Sequence, residues 1–254
     1  MRLSLCLICY LMFASTAASQ EVEFTPIQPS PSLEPFIVGG APADPNIWPA
    51  TLILSTPDRC TATLVGPRVV LTAAHCISGP NATIKIDRSS VSIVCDKHPD
   101  FSSNKTADIA MCVSGEDINV PGGAYETLSL DPADVRNGDD AVILGYGCLI
   151  EQGKPANILY VGSSVVTKLP TEKDRDYELH GGAKLCSGDS GGAAYRVFSS
   201  RSRKVFGVQS SQTPGTRTSY ASSVSLKQNA DFIRTWASAK NVKVCGLDAS
   251  SGCR

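Results

Sequence analysis

From residue 50 to residue 212 the apolar positions come in short runs: "ATLILS", "TATLV", "RVVLT", "TIKI", "VSIV", "IAMCV", "AVILGYG", "ILYVGSSVV", "AAYRVF" and "KVFGVQS". Gly, Pro, Asp, Asn and Ser separate them, so the chain reads as many short strands joined by turns. A βαβ arrangement needs helices of about ten or more residues between strands, and no such pattern intervenes. Helical spacing occurs once, in "SLKQNADFIRTWASAK", where Leu226, Ala230, Ile233 and Trp236 recur beside charged positions, with Phe232 alongside. The pattern predicts an all-β barrel or sandwich followed by one C-terminal helix. There is no internal repeat of fixed period and no long linker after Ile37.

The first 36 residues depart from this pattern. "MRLSLCLICYLMFASTAAS" has Arg2, an apolar run from Leu3 to Phe13 and then small residues, which is the layout of a secretory signal peptide expected to span 1–18. "EVEFTPIQPSPSLEPF" carries four prolines and no period, so residues 19–36 read as a propeptide or linker outside the core. No later segment reaches the roughly 18 to 20 continuous apolar residues of a membrane-spanning helix. A secreted, extracellular protein with no membrane span is therefore expected.

Composition adds mainly exclusions. The 254 residues are 42% hydrophobic and 19% charged, ordinary values for a globular protein. With 23 Lys and Arg against 24 Asp and Glu, no global field attracts nucleic acid or an anionic membrane surface. A monomer with a local site is expected. Two of the ten cysteines, Cys6 and Cys9, belong to the leading segment. Cys60, Cys76, Cys95, Cys112, Cys148, Cys186, Cys245 and Cys253 remain, an even set that argues for disulfides in a secreted chain. Neither C-x-x-C nor H-x-x-x-H occurs among the later residues, so no metal and no cofactor are expected.

The chemistry-bearing stretch is "CSGDSGG", residues 186–192. Its G-x-S-x-G also fits the nucleophile elbow of α/β-hydrolases, but those enzymes place their histidine after the serine. All three histidines here, His75, His98 and His180, precede Ser190. The order His, Asp, Ser is left, with His75 in "LTAAHC" after a strand-like run and Asp108 in "KTADIAM" before another. A serine hydroxyl needs a base to take its proton and a carboxylate to fix that base's tautomer. Singly, a His or Asp at a strand end is usually structural; order and context together favour catalysis.

"IVGG" at Ile37, "LTAAHC", "ADIAM", "GYG" at Gly145 and "CSGDSGG" together resemble the trypsin/chymotrypsin family of serine endopeptidases, over residues 37 to 239. The resemblance implies two six-stranded antiparallel β-barrels packed around a central cleft, here about 37–135 and 136–239, with a C-terminal helix and a tail at 240–254. It implies Ser190 as nucleophile, His75 as general acid and base, and Asp108 as the orienting carboxylate. The N–H groups of Gly188 and Ser190 would form the oxyanion hole, and Ser210 would support Asp108. Cys60 with Cys76 fits the family disulfide that pins the histidine loop. The simplest arrangement of the rest is Cys95 with Cys112, Cys148 with Cys186 and Cys245 with Cys253, although eight cysteines allow 105 pairings.

The resemblance also implies a proenzyme cut before Ile37, whose new ammonium would pair with Asp189 and order the oxyanion loop. Phe36 precedes the cut instead of the common Arg or Lys, so a trypsin-like activating protease does not fit. At the base of the specificity pocket Lys184 stands where trypsin-like members carry aspartate. Gln212 and Thr218 take wall positions that are often glycine. Three readings stay open: preference for acidic side chains, a small or occluded pocket, or a Lys184 that points to solvent.

Asn81 and Asn104 satisfy the glycosylation pattern. His98 and His180 read as solvated loop residues, His180 in the loop leading to Lys184. The expected partners are protein or peptide substrates, an activating protease and protein inhibitors. Two rivals remain: a catalytically silent protease-like binding module or effector, and an esterase with the same acyl-transfer chemistry.

Overall fold

The computed structural model describes residues 37, 39–86, 89–150, 153–199, 202–247 and 252–254. The expected signal peptide and the 19–36 segment, with Cys6 and Cys9, lie outside the described residues. Strands β2 (Thr51–Thr56), β3 (Cys60–Gly66), β4 (Val69–Thr72), β5 (Asn81–Ile86), β6 (Ser89–Lys97) and β7 (Ala110–Ser114) close a barrel in the order β2-β3-β4-β7-β6-β5. A second barrel runs β9 (Tyr160–Lys168), β10 (Asp176–His180), β13 (Thr218–Ser223), β12 (Ser202–Gln212), β11 (Ala193–Ser199), β8 (Asp140–Gly145), and pairing of β8 with β9 closes it. The short β1 (Ala41–Pro42) joins the outer edge of β9. All of these ladders are antiparallel, as two six-stranded barrels require.

Each apolar run became a strand, whereas β1, β10 and β13 were not among the expected ones. The sequences of β10, "DYELH", and β13, "TSYASS", are mostly polar, yet Ser219, Ser222 and Ser223 are fully buried. Small hydroxyl side chains are tolerated inside a barrel when each finds a partner. Ser219 Oγ accepts from Leu185 N at 3.0 Å, and Ser222 and Ser223 have partners of their own.

Helix α1 (Lys227–Lys240) buries Ala230, Ile233, Trp236 and Ala237, the face its spacing marks out. Leu226 sits at its N-cap and Asn241, in the left-handed region at φ 51°, ends it. Trp236 Nε1 donates to Asp96 Oδ2 at 2.8 Å and Lys240 pairs with the same oxygen at 2.9 Å, docking the helix on β6. Beyond it Cys245 bonds to Cys253, and the tail straps the inter-barrel segment: Tyr125 N donates to Gly252 O and Arg254 N to Tyr125 O. The other disulfides are Cys60–Cys76, Cys95–Cys112 and Cys148–Cys186.

Candidate active site

Antiparallel pairing of Thr72 with Ala110 sets the end of β4 beside the start of β7. Just past that end a short 3-10 turn, Ala74–Cys76, carries His75, and the Cys60–Cys76 disulfide ties the turn back to β3. Just before β7 lies Asp108. The register therefore brings two residues distant in sequence into contact. His75 Nδ1 is 2.5 Å from Asp108 Oδ2, and the His75 backbone N–H donates to Oδ1 at 2.9 Å. Ser210 Oγ, from β12, donates to Asp108 Oδ2 at 2.6 Å. Three donors thus converge on a carboxylate that is 2% exposed, while the His75 ring is 39% exposed. A carboxylate facing Nδ1 puts the proton there and leaves Nε2 as the acceptor.

Ser190 lies on the loop before β11, and the first barrel holds that loop from both sides. The Thr61 N–H of β3 donates to Ser190 O at 2.8 Å, and the Thr61 hydroxyl donates to Gly188 O at 2.7 Å. Within the loop the N–H groups of Asp189, Gly191 and Gly192 are taken by Cys186 O, Gln209 O and Asp189 O. Among the described residues those of Gly188 and Ser190 have no acceptor. Gly188 adopts φ 101°, a conformation that favours glycine. The Ser190 hydroxyl is 3.4 Å from Ser210 O and makes no hydrogen bond to His75.

Asp189 is fully buried beneath this loop. Its oxygens accept from Gly147 N at 2.7 Å and Cys186 N at 2.8 Å. Burial pushes its carboxyl up to about 7 against the opposing pull of those two amides. Space around it is tight: a Cβ on Gly145 would lie 2.2 Å from Asp189 Oδ1, and one on Gly147 2.3 to 2.4 Å from the carboxylate atoms. Cys148 N donates to Ser187 O and the Cys148–Cys186 disulfide binds the same two segments. Ile37 is buried in one apolar cluster with Ala183 and Leu185. In the continuous chain its nitrogen is a peptide amide, and no bond joins it to Asp189.

Lys184 is 3% exposed, which corrects the solvent-pointing reading. Gln212 pairs in register with Ser219, and its buried Oε1 has no hydrogen-bond partner. Thr218 Oγ1 lies 3.1 Å from His180 Nδ1. His180 is exposed as expected but ends β10 rather than lying in a loop. His98 overturns its expectation: it is 3% exposed, packs its ring at a tilt against Phe232 with centroids 4.8 Å apart and accepts from Asp100 N. Desolvation lowers its pKa below the usual histidine value. It is buried because α1 packs over its loop. Asn81 is exposed, whereas Asn104 is half-buried with its Nδ2 donating to Lys173 O. The sulfurs of Cys60 and Cys76 lie close to His75, but a disulfide offers no thiolate to a metal.

Sequence reasoning missed Thr61, Gly145, Gly147 and Asp176. Thr61 reads only as a strand residue, and the two glycines, quoted within "GYG", carry no signal of what they approach. A polar residue opening an unrecognised strand gives Asp176 no sequence signature either.

Residues 37–233 match the family model described as Trypsin. Among curated proteins the chain is 31% identical to Trypsin of Saccharopolyspora erythraea over 183 residues, covering 61% of this chain and 80% of that protein. It is 30% identical to human Serine protease 56 over 187 residues, covering 61% of this chain but only 30% of that longer protein. Brachyurin of Leptuca pugilator matches at 26% over 181 residues, 61% of this chain and 80% of that protein.

Proposed function

The chain belongs to the trypsin family of serine proteases, and we propose that it is a secreted endopeptidase that cleaves peptide bonds through Ser190, His75 and Asp108. The observation that carries this reading is the convergence of His75, its backbone N–H and Ser210 on the Asp108 carboxylate, beside the Ser190 loop. Held by Asp108 at Nδ1, His75 offers Nε2 to take the Ser190 proton as the serine oxygen attacks the scissile carbonyl carbon. The N–H groups of Gly188 and Ser190 receive the oxyanion, a role worth about 3 kcal/mol per donor. The imidazolium returns its proton to the leaving amine, and water then hydrolyses the acyl-enzyme by the same relay. The lack of a Ser190-to-His75 hydrogen bond suits a site that tightens only around substrate.

The chain is made as a proenzyme cut before Ile37. Asp189 is buried with amide donors and no cation among the described residues, so a new ammonium at Ile37 would supply the missing charge. The cut follows Phe36, so an activator that cleaves after aromatic residues suits it. Lys184 at the pocket base disfavours Arg and Lys side chains and favours acidic ones, and Gln212 and Thr218 narrow the walls. The test is digestion of a diverse peptide mixture by a chain starting at Ile37, read by mass spectrometry beside a Ser190→Ala control. Serine-dependent cuts after Glu or Asp support the whole reading, and cuts after small residues transfer specificity to the wall. Folded protein without serine-dependent cleavage would point to a binding module instead.

A further inference from the structure

Asp176 opens β10 of the second barrel and is 7% exposed. Register places it opposite Ser222 on β13, with Asp176 Oδ1 2.6 Å from Ser222 Oγ. The same Ser222 Oγ lies 3.0 Å from Thr106 O, on the chain that runs through Ala107 into Asp108. Thr106 is held there by its own hydroxyl, which accepts from Arg175 N at 2.9 Å and donates to Asn104 Oδ1 at 2.7 Å.

Counting protons decides how this cluster works. The Ser222 hydroxyl has one proton and faces two oxygens, of which the Thr106 carbonyl can only accept. If Asp176 is a carboxylate, one of the two contacts has no hydrogen between its oxygens. If Asp176 is a neutral carboxyl, its O–H donates to Ser222 Oγ and the Ser222 O–H donates to Thr106 O, so every contact is satisfied. The charged surroundings agree. Asp174 accepts from Asp176 N at 3.4 Å and is itself paired with Lys168 of β9. Asp108, on the chain before β7, adds a further like charge. Arg175 is committed to Asp100 and to Asn229 of α1. Burial first, then the charges of Asp174 and Asp108, push the Asp176 carboxyl up to about 7 against the Ser222 hydrogen bond.

We propose that Asp176 is a positioning residue for the catalytic centre: as a neutral carboxyl it donates to Ser222, which in turn donates to Thr106 O and fixes the chain leading into Asp108. This rests on the protease reading. When Asp176 ionises, its oxygen accepts from the Ser222 hydroxyl, whose O–H turns away from Thr106 O. Losing that donor loosens the chain into Asp108 and lowers kcat on the alkaline side while leaving KM nearly unchanged.

The experiment compares the Ile37-starting enzyme with its Asp176→Asn variant from about pH 5 to 9. An asparagine amide donates to Ser222 at every pH, so the ratio of variant to wild-type kcat rises roughly threefold to tenfold from the acid to the alkaline side. Asp176→Ala leaves the Ser222 O–H free to donate to Thr106 O and has no carboxyl to ionise, so it too lacks the alkaline fall in kcat. In the Ser190→Ala chain, carbon NMR of the Asp carboxyls reads Asp176 directly. It titrates near neutrality, and the His75 proton shared with Asp108 shifts at the same step, a shift missing from Asp176→Asn. A carboxyl already ionised in mild acid, or a His75 signal with the same profile in both chains, overturns the proposal. Loss of all serine-dependent cleavage in the wild-type enzyme would instead overturn the protease reading, and the NMR titration would still decide the relay.

Discussion

Replacing Gly147 by alanine tests whether the nucleophile loop depends on close packing around Asp189. Gly147 lacks the positive φ that would by itself exclude a side chain. The new methyl would lie 2.3 Å from Asp189 Cγ and Oδ2 and 2.4 Å from Oδ1, where ordinary contacts begin at about 3.5 Å. The carboxylate must therefore retreat by roughly 1 Å. It cannot do so and still accept from Gly147 N and Cys186 N, two bonds worth about 1 kcal/mol each. Adding the strain of overpacking, the variant should lose roughly 2 to 4 kcal/mol, or about 5 to 15 °C in Tm. Because Asp189 is joined directly to Ser190 and follows Gly188, both of the proposed oxyanion donors move with it. Losing one such donor costs about a hundredfold in kcat. Calorimetry and steady-state kinetics on a peptide found by profiling provide the assays. Gly79→Ala is the control, since a Cβ there meets nothing within 4 Å. If Gly147→Ala kept wild-type Tm and kcat, the account of Asp189 as the support of the loop would be wrong.

Other predictions follow from buried charge. Glu126 is fully buried and paired with Arg203, which also stacks 3.7 Å over Trp48. Arg203→Met leaves that carboxylate without its partner, and denaturant titration should show a loss of about 3 to 5 kcal/mol. The uncleaved Ser190→Ala chain should lose stability as pH rises from about 4 to 7. Asp176 and Asp189 both have folded pKa values raised to about 7, so the folded state binds more protons than the unfolded state in that window. Thermal scans across the window should show the slope reduced in Asp189→Asn; an unchanged slope would refute it. Opening both Cys148 and Cys186 as serines should lower kcat more than it raises KM, since their bond braces the segment leading to Gly188.

The sequence makes the barrels legible because strands that bury aliphatic side chains advertise themselves, as "TATLV" and "IAMCV" do. It hides β13, whose inward residues are Ser219, Ala221 and Ser223, because a small hydroxyl looks like a turn residue until its partner is known. His75, Asp108 and Ser190 stand out because their local motifs are distinctive. His98 was misread for the opposite reason: its burial is imposed by α1, which packs over it from far along the chain. Asp176 and Thr61 act through register, and a register is a property of two strands that neither segment spells out alone.

Thr61 gives the two barrels a shared fate. One residue of the first barrel binds the carbonyls of Gly188 and Ser190, on either side of Asp189 in the loop before β11 of the second. Any slip between the barrels breaks those bonds before either barrel has to unravel. A half-open molecule is thereby a disarmed one. On the proposed protease reading, partly unfolded copies, which offer the most cleavable chain, would be poor predators of their neighbours while they fold.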